Sequence, residues 1–290
     1  MEPHAHRIAG EDGVEIHLLE WSRAGVPFLM LHGFGNDAHI WDDFAPVIAP
    51  SYRTLAMDLR GHGDSAWDPE RRYDYEFHIA DLERVTAALG IERFVLMGHS
   101  LGGRVATLFA GRHPERLAGF VLVDSGPELD FRGVTRIRVD MQKTAAGSGT
   151  FASAAEYERM LSHAYPAVKP DVLARMARHG LRQRPDGRFE RKTDPAFHAG
   201  RAAMSEAEAE ERERAVEKRL WEALAKVPCP ALVVRGAASD ILSPDCADRM
   251  AEDVLAQGRL AIVARAGHSV MVDNPEGFAD ALSSFVLEDE

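Results

Sequence analysis

A serine lies at the centre of the strongest chemical signal in the sequence. The segment Gly98-His99-Ser100-Leu101-Gly102 connects an apolar, strand-like run, Phe94 to Met97, with a helical stretch that begins near Ser100. A serine at such a turn adopts a strained backbone conformation, and side chains two residues before and after it would collide, which explains the glycines. The start of the helix favours negative charge that develops beside the serine. The pattern therefore indicates a nucleophilic serine.

A nucleophilic serine needs a base, and the base needs a carboxylate that orients it. His268 follows the strand-like run Leu260 to Val263 and is the best base among the 13 histidines. Asp240 follows another such run and is predicted to orient His268, which gives the chain order Ser, Asp, His. Asp124, at the end of the preceding run, is the alternative. Both aspartates are expected at the carboxyl edge of the sheet, where catalytic groups collect in open α/β folds.

The loop His32-Gly33-Phe34-Gly35 comes directly after the apolar run Pro27 to Leu31. We expect the backbone N–H groups of Phe34 and Leu101 to stabilise the oxyanion of a tetrahedral intermediate. Loss of one such donor typically lowers the rate by about 10²–10³. The imidazole of His32 is expected only to hold this loop through hydrogen bonds.

The elements that must position these residues alternate between strand and helix. Short apolar runs of the kind buried on both faces of a parallel sheet alternate with helical patterns such as 37–49, 77–89, 100–112, 247–255 and 276–285. This order predicts an α/β fold, a mostly parallel sheet with helices on both faces.

Residues 127–222 interrupt the alternation. They contain no strand run of the buried kind, are rich in Ala, Glu and Arg with a helical pattern in pieces, and carry one turn signal at Pro185-Asp186-Gly187. This stretch has 18 basic and 16 acidic residues, whereas the remainder has 16 and 30. We predict a core domain formed by 1–126 and 223–290, with 127–222 inserted as a helical cap, or lid. A helical insertion that serves packing alone is the alternative.

Composition and charge exclude several classes of protein. The net charge of -12 disfavours nucleic acid as a partner, since phosphates would be repelled. No apolar run approaches the roughly 20 residues that span a bilayer, and residues 1–10 lack the apolar stretch of a secretory signal. The two cysteines cannot form a disulfide framework. We expect a cytoplasmic protein without a membrane partner, in which His4 and His6 belong to a mobile N-terminal segment rather than a metal site.

These motifs together resemble the α/β-hydrolase superfamily, in the lid-bearing branch that includes esterases, enol-lactonases, carbon–carbon bond hydrolases, epoxide hydrolases and haloalkane dehalogenases. The resemblance covers nearly the whole chain except the lid. It also includes the loop Asp58 to Ser65, to which we assign a structural role, and it implies an eight-stranded sheet. Epoxide hydrolases and haloalkane dehalogenases use an aspartate where this chain has Ser100. Carbon–carbon hydrolases usually carry Trp after the catalytic histidine, where this chain has Ser269.

The sequence thus predicts a serine hydrolase that cleaves small carboxylic esters or lactones through an acyl-enzyme on Ser100, without a metal or organic cofactor. The alternatives are a carbon–carbon (diketone) hydrolase with the same triad and a ligand-binding protein on this fold. We expect a small-molecule substrate with an apolar acyl or alkyl part and a monomer or homodimer. The residues proposed to line the substrate pocket are Gly33, Trp41, Leu242 and Val270, of which Trp41 and Leu242 could equally belong to the core.

Six arginines of the insertion are a further candidate for substrate binding. We expect them to be solvated and paired with nearby acids, and a substrate carboxylate is the alternative partner. They are Arg175, Arg178, Arg182, Arg184, Arg188 and Arg191.

Overall fold

The computed structural model describes residues 1–130, 133, 149–198 and 205–286. Within them, one eight-stranded sheet runs through the molecule in the order β1-β2-β4-β3-β5-β6-β10-β11. The two pairs that involve β2 are antiparallel, and all other neighbours are parallel. Its strands are β1 His4–Ala9, β2 Glu15–Glu20, β3 Val26–Leu31, β4 Tyr52–Met57, β5 Phe94–His99, β6 Leu117–Val123, β10 Ala231–Gly236 and β11 Gly258–Val263. The predicted fold class is confirmed.

Side chains of the central strands pack alternately on the two faces of the sheet. In β3, Leu29 and Leu31 belong to one apolar core and Phe28 and Met30 to the other, and all four are fully buried. Burial on both faces explains why the central strands read as continuous apolar runs. This sheet is rigidly held and fixes the positions of the loops at its edges.

Helices cover both faces of the sheet. The first face is covered by α2 Tyr75–Ala88, α3 Leu101–Arg112, α6 Glu206–Leu224 and α7 Pro244–Asp248, which continues as a π-helical turn Arg249–Val254. The second face is covered by α1 Ala45–Ile48, α8 Val270–Asp273 and α9 Pro275–Val286. Among the described residues, no helix combines the length and the apolar character needed to cross a membrane.

The described part of the insertion, residues 149–198, is called the insert below. It contains α4 Ala154–Ala164, α5 Pro170–His179 and a small antiparallel sheet of the order β7-β9-β8. The strands are β7 Thr150–Phe151, β8 Leu181–Gln183 and β9 Phe189–Arg191. Apolar residues of the insert join the core on the second face of the main sheet, so the insert packs directly on it.

Two expectations about these elements were wrong, and a third was incomplete. Besides its helices, the insert contains the short strands β7, β8 and β9. Strands β8 and β9, with their Arg, Gln and Glu residues, leave no apolar run in the sequence. Residues 37–49 form a 3-10 turn, Ala38–Trp41, and the short α1 rather than one helix. His4 and His6 lie in β1, where His6 contacts Glu20 at 2.7 Å, and not in a mobile segment.

Candidate active site

Ser100 stands at the sharp turn between β5 and α3. Its φ of 51° and ψ of -115° lie outside the regions that L-residues prefer. The turn is tight enough that a Cβ on Gly98 would lie 2.4 Å from the carbonyl oxygen of Gly102, and a Cβ on Gly102 would lie 2.5 Å from that of His32. The hydroxyl of Ser125 donates to the carbonyl oxygen of Ser100 at 2.8 Å. The serine is thus held in its strained conformation from several sides.

His268 lies between the serine and a carboxylate. Its Nε2 is 3.0 Å from Oγ of Ser100, and its Nδ1 is 2.7 Å from Oδ2 of Asp124. Because a carboxylate only accepts, Nδ1 carries the proton and Nε2 is left to accept from the Ser100 hydroxyl. The side chain of Asp124 is fully buried, and that of His268 is 14% exposed. A serine, histidine and aspartate in this arrangement can activate the serine for attack.

The structure corrects the expectation that Asp240 orients His268. The strand β6 ends directly before Asp124, so its carboxylate reaches across to β10, where Oδ1 accepts from the N–H of Gly236 at 3.1 Å. The hydroxyl of Ser239 donates to Oδ2 at 2.5 Å. The loop after β10 therefore contacts His268 only indirectly, because Ser239 binds Asp124 and Asp124 binds His268. Asp240 does not provide this link. Both aspartates follow neighbouring strands, and the sequence alone could not rank their distances to His268.

Two further residues support the loop of His268: His99, which was not singled out from the sequence, and Asp273, which is expected from the sequence to be a helix-capping or surface residue. His99 donates from Nε2 to the carbonyl oxygen of His268 at 2.9 Å, and Asp273 accepts from the N–H of Gly267 at 2.8 Å. Burial and the nearby His268 hold the pKa of His99 well below its usual value, so this ring is neutral near pH 7. The position of His99 beside Ser100 in the sequence was the only signal that could have found it.

The loop after β3 lies against the serine. A Cβ on Gly33 would be 2.6 Å from Nδ1 of His99 and 3.1 Å from Cβ of Ser100. His32 is fully buried, its Nδ1 contacts the carbonyl oxygen of Gly33 at 2.7 Å, and its Nε2 accepts from the N–H of Leu59 at 3.0 Å. Its imidazole thus holds the loop, and burial lowers its pKa. Leu101 is the first residue of α3, so its N–H has no partner within the helix.

The insert reaches this loop through one aromatic contact. The ring of Phe34 lies 5.2 Å from that of Phe197, which belongs to the insert, and 5.4 Å from that of His62. By contrast, Trp41, Leu242 and Val270 are 0% exposed. Trp41 and Val270 belong to one apolar core and Leu242 to the other, whereas Gly33 lies beside Ser100. This burial favours the core alternative over the pocket for Trp41 and Leu242.

Several arginines of the insertion are paired with acids. Arg175 binds Asp43, and Arg182 and Arg184 lie 2.8 and 3.0 Å from the carboxylate of Glu190. Such pairs satisfy the guanidinium groups within the protein. These contacts favour the expectation that the arginines are solvated and paired with nearby acids. They do not favour the alternative that the arginines bind a substrate carboxylate.

Comparison with known proteins places this geometry in a family. The family model described as alpha/beta hydrolase fold matches residues 26–275. The chain belongs to the alpha/beta hydrolase fold family. The resemblance inferred from the motifs is thereby confirmed, and a hydrolase of the serine kind is the general function that the family and its relatives support.

Individual relatives are distant and carry different names. The chain is 27% identical over 287 residues to the putative 2-succinyl-6-hydroxy-2,4-cyclohexadiene-1-carboxylate synthase of Bacillus subtilis. The aligned region covers 96% of this chain and 97% of that protein. It is 28% identical over 274 residues to 2-hydroxymuconate semialdehyde hydrolase of Pseudomonas sp., covering 92% and 89%. A serine hydrolase-like protein of Danio rerio is 37% identical, but over only 102 residues, 35% of this chain and 31% of that protein.

A solved structure of a related esterase extends over nearly the whole chain. The esterase Rv0045c of Mycobacterium tuberculosis superposes with a TM-score of 0.78 at 26% identity, covering 99% of this chain and 92% of that one. These similarities establish the fold and the general chemistry. They leave the substrate to be inferred from the site.

Proposed function

We propose that this protein is a serine hydrolase that cleaves small carboxylic esters or lactones through an acyl-enzyme on Ser100. The observation that carries the proposal is the continuous contact from Ser100 Oγ to His268 Nε2 at 3.0 Å and from His268 Nδ1 to Asp124 Oδ2 at 2.7 Å. The three residues are Ser100, Asp124 and His268, and Asp240 has no part in this reaction.

In the first step, Ser100 Oγ attacks the substrate carbonyl while its proton moves to Nε2 of His268. The negative charge on the tetrahedral oxygen is stabilised by the N–H groups of Phe34 and Leu101. His268 then gives the proton to the leaving alcohol oxygen as the C–O bond breaks. Water repeats the sequence on the acyl-enzyme, releasing the acid and restoring Ser100.

Asp124 keeps His268 in the productive tautomer and stabilises its charged form. Its own carboxylate is held by Gly236 and Ser239, and His99 fixes the backbone of His268. Such supporting contacts keep the reacting groups aligned without rearrangement during turnover. The aromatic contact of Phe34 with Phe197 supports a substrate with an apolar acyl or alkyl part that binds between the loop after β3 and the insert.

The first experiment is the hydrolysis of p-nitrophenyl esters from acetate to decanoate by the wild type and by Ser100→Ala. We expect turnover by the wild type and its loss in the variant by at least about 10³-fold, because the nucleophile is gone. Ser162→Ala, on the exposed face of α4, is the matched control and should retain wild-type turnover. A fluorophosphonate probe should label the wild type and not Ser100→Ala. Unchanged turnover in Ser100→Ala would contradict the assignment.

Carbon–carbon bond hydrolysis is tested in the same assay because a relative is named 2-hydroxymuconate semialdehyde hydrolase. A diketone substrate is offered beside the esters. Preference for the ester supports the proposal, whereas diketone cleavage that depends on Ser100 without ester cleavage would replace it with the carbon–carbon reaction.

A further inference from the structure

Two histidines and an aspartate converge where the insert meets the core, outside the site described above. His39 and Asp42 belong to the 3-10 turn Ala38–Trp41 and its C-terminal flank, and His179 is the last residue of α5 in the insert. The imidazole rings of His39 and His179 are stacked with centroids 3.5 Å apart. One donor atom from each of the three residues lies within 4.8 Å of the others, and all three side chains are partly exposed to solvent.

The spacing between His39 and Asp42 suits two ligands of one ion. Nδ1 of His39 is 3.1 Å from Oδ2 and 3.2 Å from Oδ1 of Asp42. Two ligands at about 2.0–2.1 Å in a tetrahedral zinc site are about 3.3 Å apart. An ion can therefore take the place of the proton between these atoms. The third donor, on His179, joins them when its ring turns out of the stack on His39, because the lone pairs of two parallel rings do not converge on one ion.

Asp42 supplies the negative charge that the cluster offers to a cation. Arg175 binds the neighbouring Asp43, and its Nε is 3.6 Å from Asp42. Lys192 and Arg178 are further positive charges that act on His179. The donor atoms and their spacing, rather than the net charge, therefore carry the argument for an ion.

We propose that His39, Asp42 and His179 form a binding site for a divalent transition metal ion, zinc first of all. Two imidazoles and a carboxylate are a ligand set that zinc accepts, with water in the fourth position. His39 lies in the turn Ala38–Trp41 beside the main sheet, and His179 lies in the insert. The ion therefore links the insert to the rest of the molecule and stabilises the contact between them. The site is separate from Ser100 and has no step in the proposed hydrolysis.

The test is isothermal titration of the full chain with ZnCl₂, together with the visible absorption spectrum of the Co²⁺-loaded protein. We expect one Zn²⁺ per chain, a four-coordinate Co²⁺ spectrum, and a Tm that rises with Zn²⁺ concentration. His179→Ala and His39→Ala should each weaken binding at least tenfold, since even loss of a second-shell partner typically weakens metal affinity 10–100-fold. His163→Ala is the matched control, because His163 is an exposed histidine on α4 of the same insert.

The variants also separate this site from other histidines. The rings of His4 and His6 lie 4.7 Å apart in β1, and His4→Ala tests whether zinc binds there instead. Binding that is lost in His179→Ala and kept in His163→Ala and His4→Ala supports the site. Unchanged affinity in His179→Ala, or no binding by the wild type at 100 µM Zn²⁺, overturns it. Each variant is first checked for a wild-type circular dichroism spectrum. The binding readout does not depend on esterase activity, so the two proposals can fail independently.

Discussion

At the residue scale, the orientation of His268 depends on a carboxylate at the end of β6. Asp124 has a φ of 46°, a strained value for an aspartate, and three contacts hold its carboxylate in that conformation. The strain is the consequence of placing a carboxylate directly at the end of a central strand. An acid in such a position has little freedom to turn away from His268.

Asp124→Asn is expected to lower kcat by about 10⁴-fold, because an amide can stabilise the wrong tautomer of the histidine. Asp240→Asn is the matched comparison and should stay near the wild-type rate. Both are measured on the p-nitrophenyl ester preferred by the wild type, with the Tm of each variant as a check on folding. A larger loss in Asp240→Asn than in Asp124→Asn would return the orienting role to Asp240.

At the element scale, a buried charged network fixes the loop between β4 and α2. Arg60 and its partners Asp68 and Asp81 have fully buried side chains, with ion-pair distances of 2.9 and 2.6 Å. Asp58 in the same loop accepts from the N–H groups of Ala38 and Asp64. These contacts support the structural role expected for the Asp58–Ser65 loop, and they connect it to the turn Ala38–Trp41 that follows the loop His32 to Gly35.

Arg60→Met is expected to lower the free energy of unfolding by about 3–5 kcal/mol, because it leaves the buried carboxylate of Asp81 without the counter-charge of Arg60, whereas Asp68 keeps Arg72. Urea unfolding monitored by circular dichroism measures this change. Arg84→Met removes an exposed arginine whose partner, Glu11, is partly exposed to solvent, and should have little effect. Equal stabilities of the two variants would show that burial does not govern this network.

At the scale of the whole molecule, several imidazoles are enclosed as neutral groups. His62, His78 and His99 are at most 1% exposed, and each has at least one ring nitrogen without a hydrogen bond. Burial lowers the pKa of each of the three, to about 3 for His78. The folded state therefore binds fewer protons than the unfolded chain, whose imidazoles titrate near pH 6.5. The stability that these neutral imidazoles contribute is fully present above pH 6.5, near the pKa of imidazoles in the unfolded chain. It is lost as the pH falls toward their pKa values in the folded state.

The contribution of His78 to this loss is expected to be about 2 kcal/mol between pH 6.5 and pH 5, at about 1.4 kcal/mol for each pH unit. In His78→Leu, the free energy of unfolding should fall less steeply over this interval. Urea titrations at pH 7.5, 6.5, 5.5 and 5.0 give the slopes, and His163→Leu, which changes an exposed histidine, should keep the wild-type slope. If His78→Leu also keeps the wild-type slope, burial in the folded state does not lower the pKa of His78.

Local sequence patterns predicted the alternation of strands and helices around Ser100 and His268, the strained turn at Ser100 and the post-strand position of His268. These features depend on local backbone geometry and on apolar periodicity, both of which are written in consecutive residues. The choice between Asp124 and Asp240, the burial of Trp41 and Leu242, and the meeting of His39 with His179 were decided only by the tertiary structure. Each depends on the distance between segments far apart in the chain, which the packing of the sheet and the insert sets and no local pattern encodes.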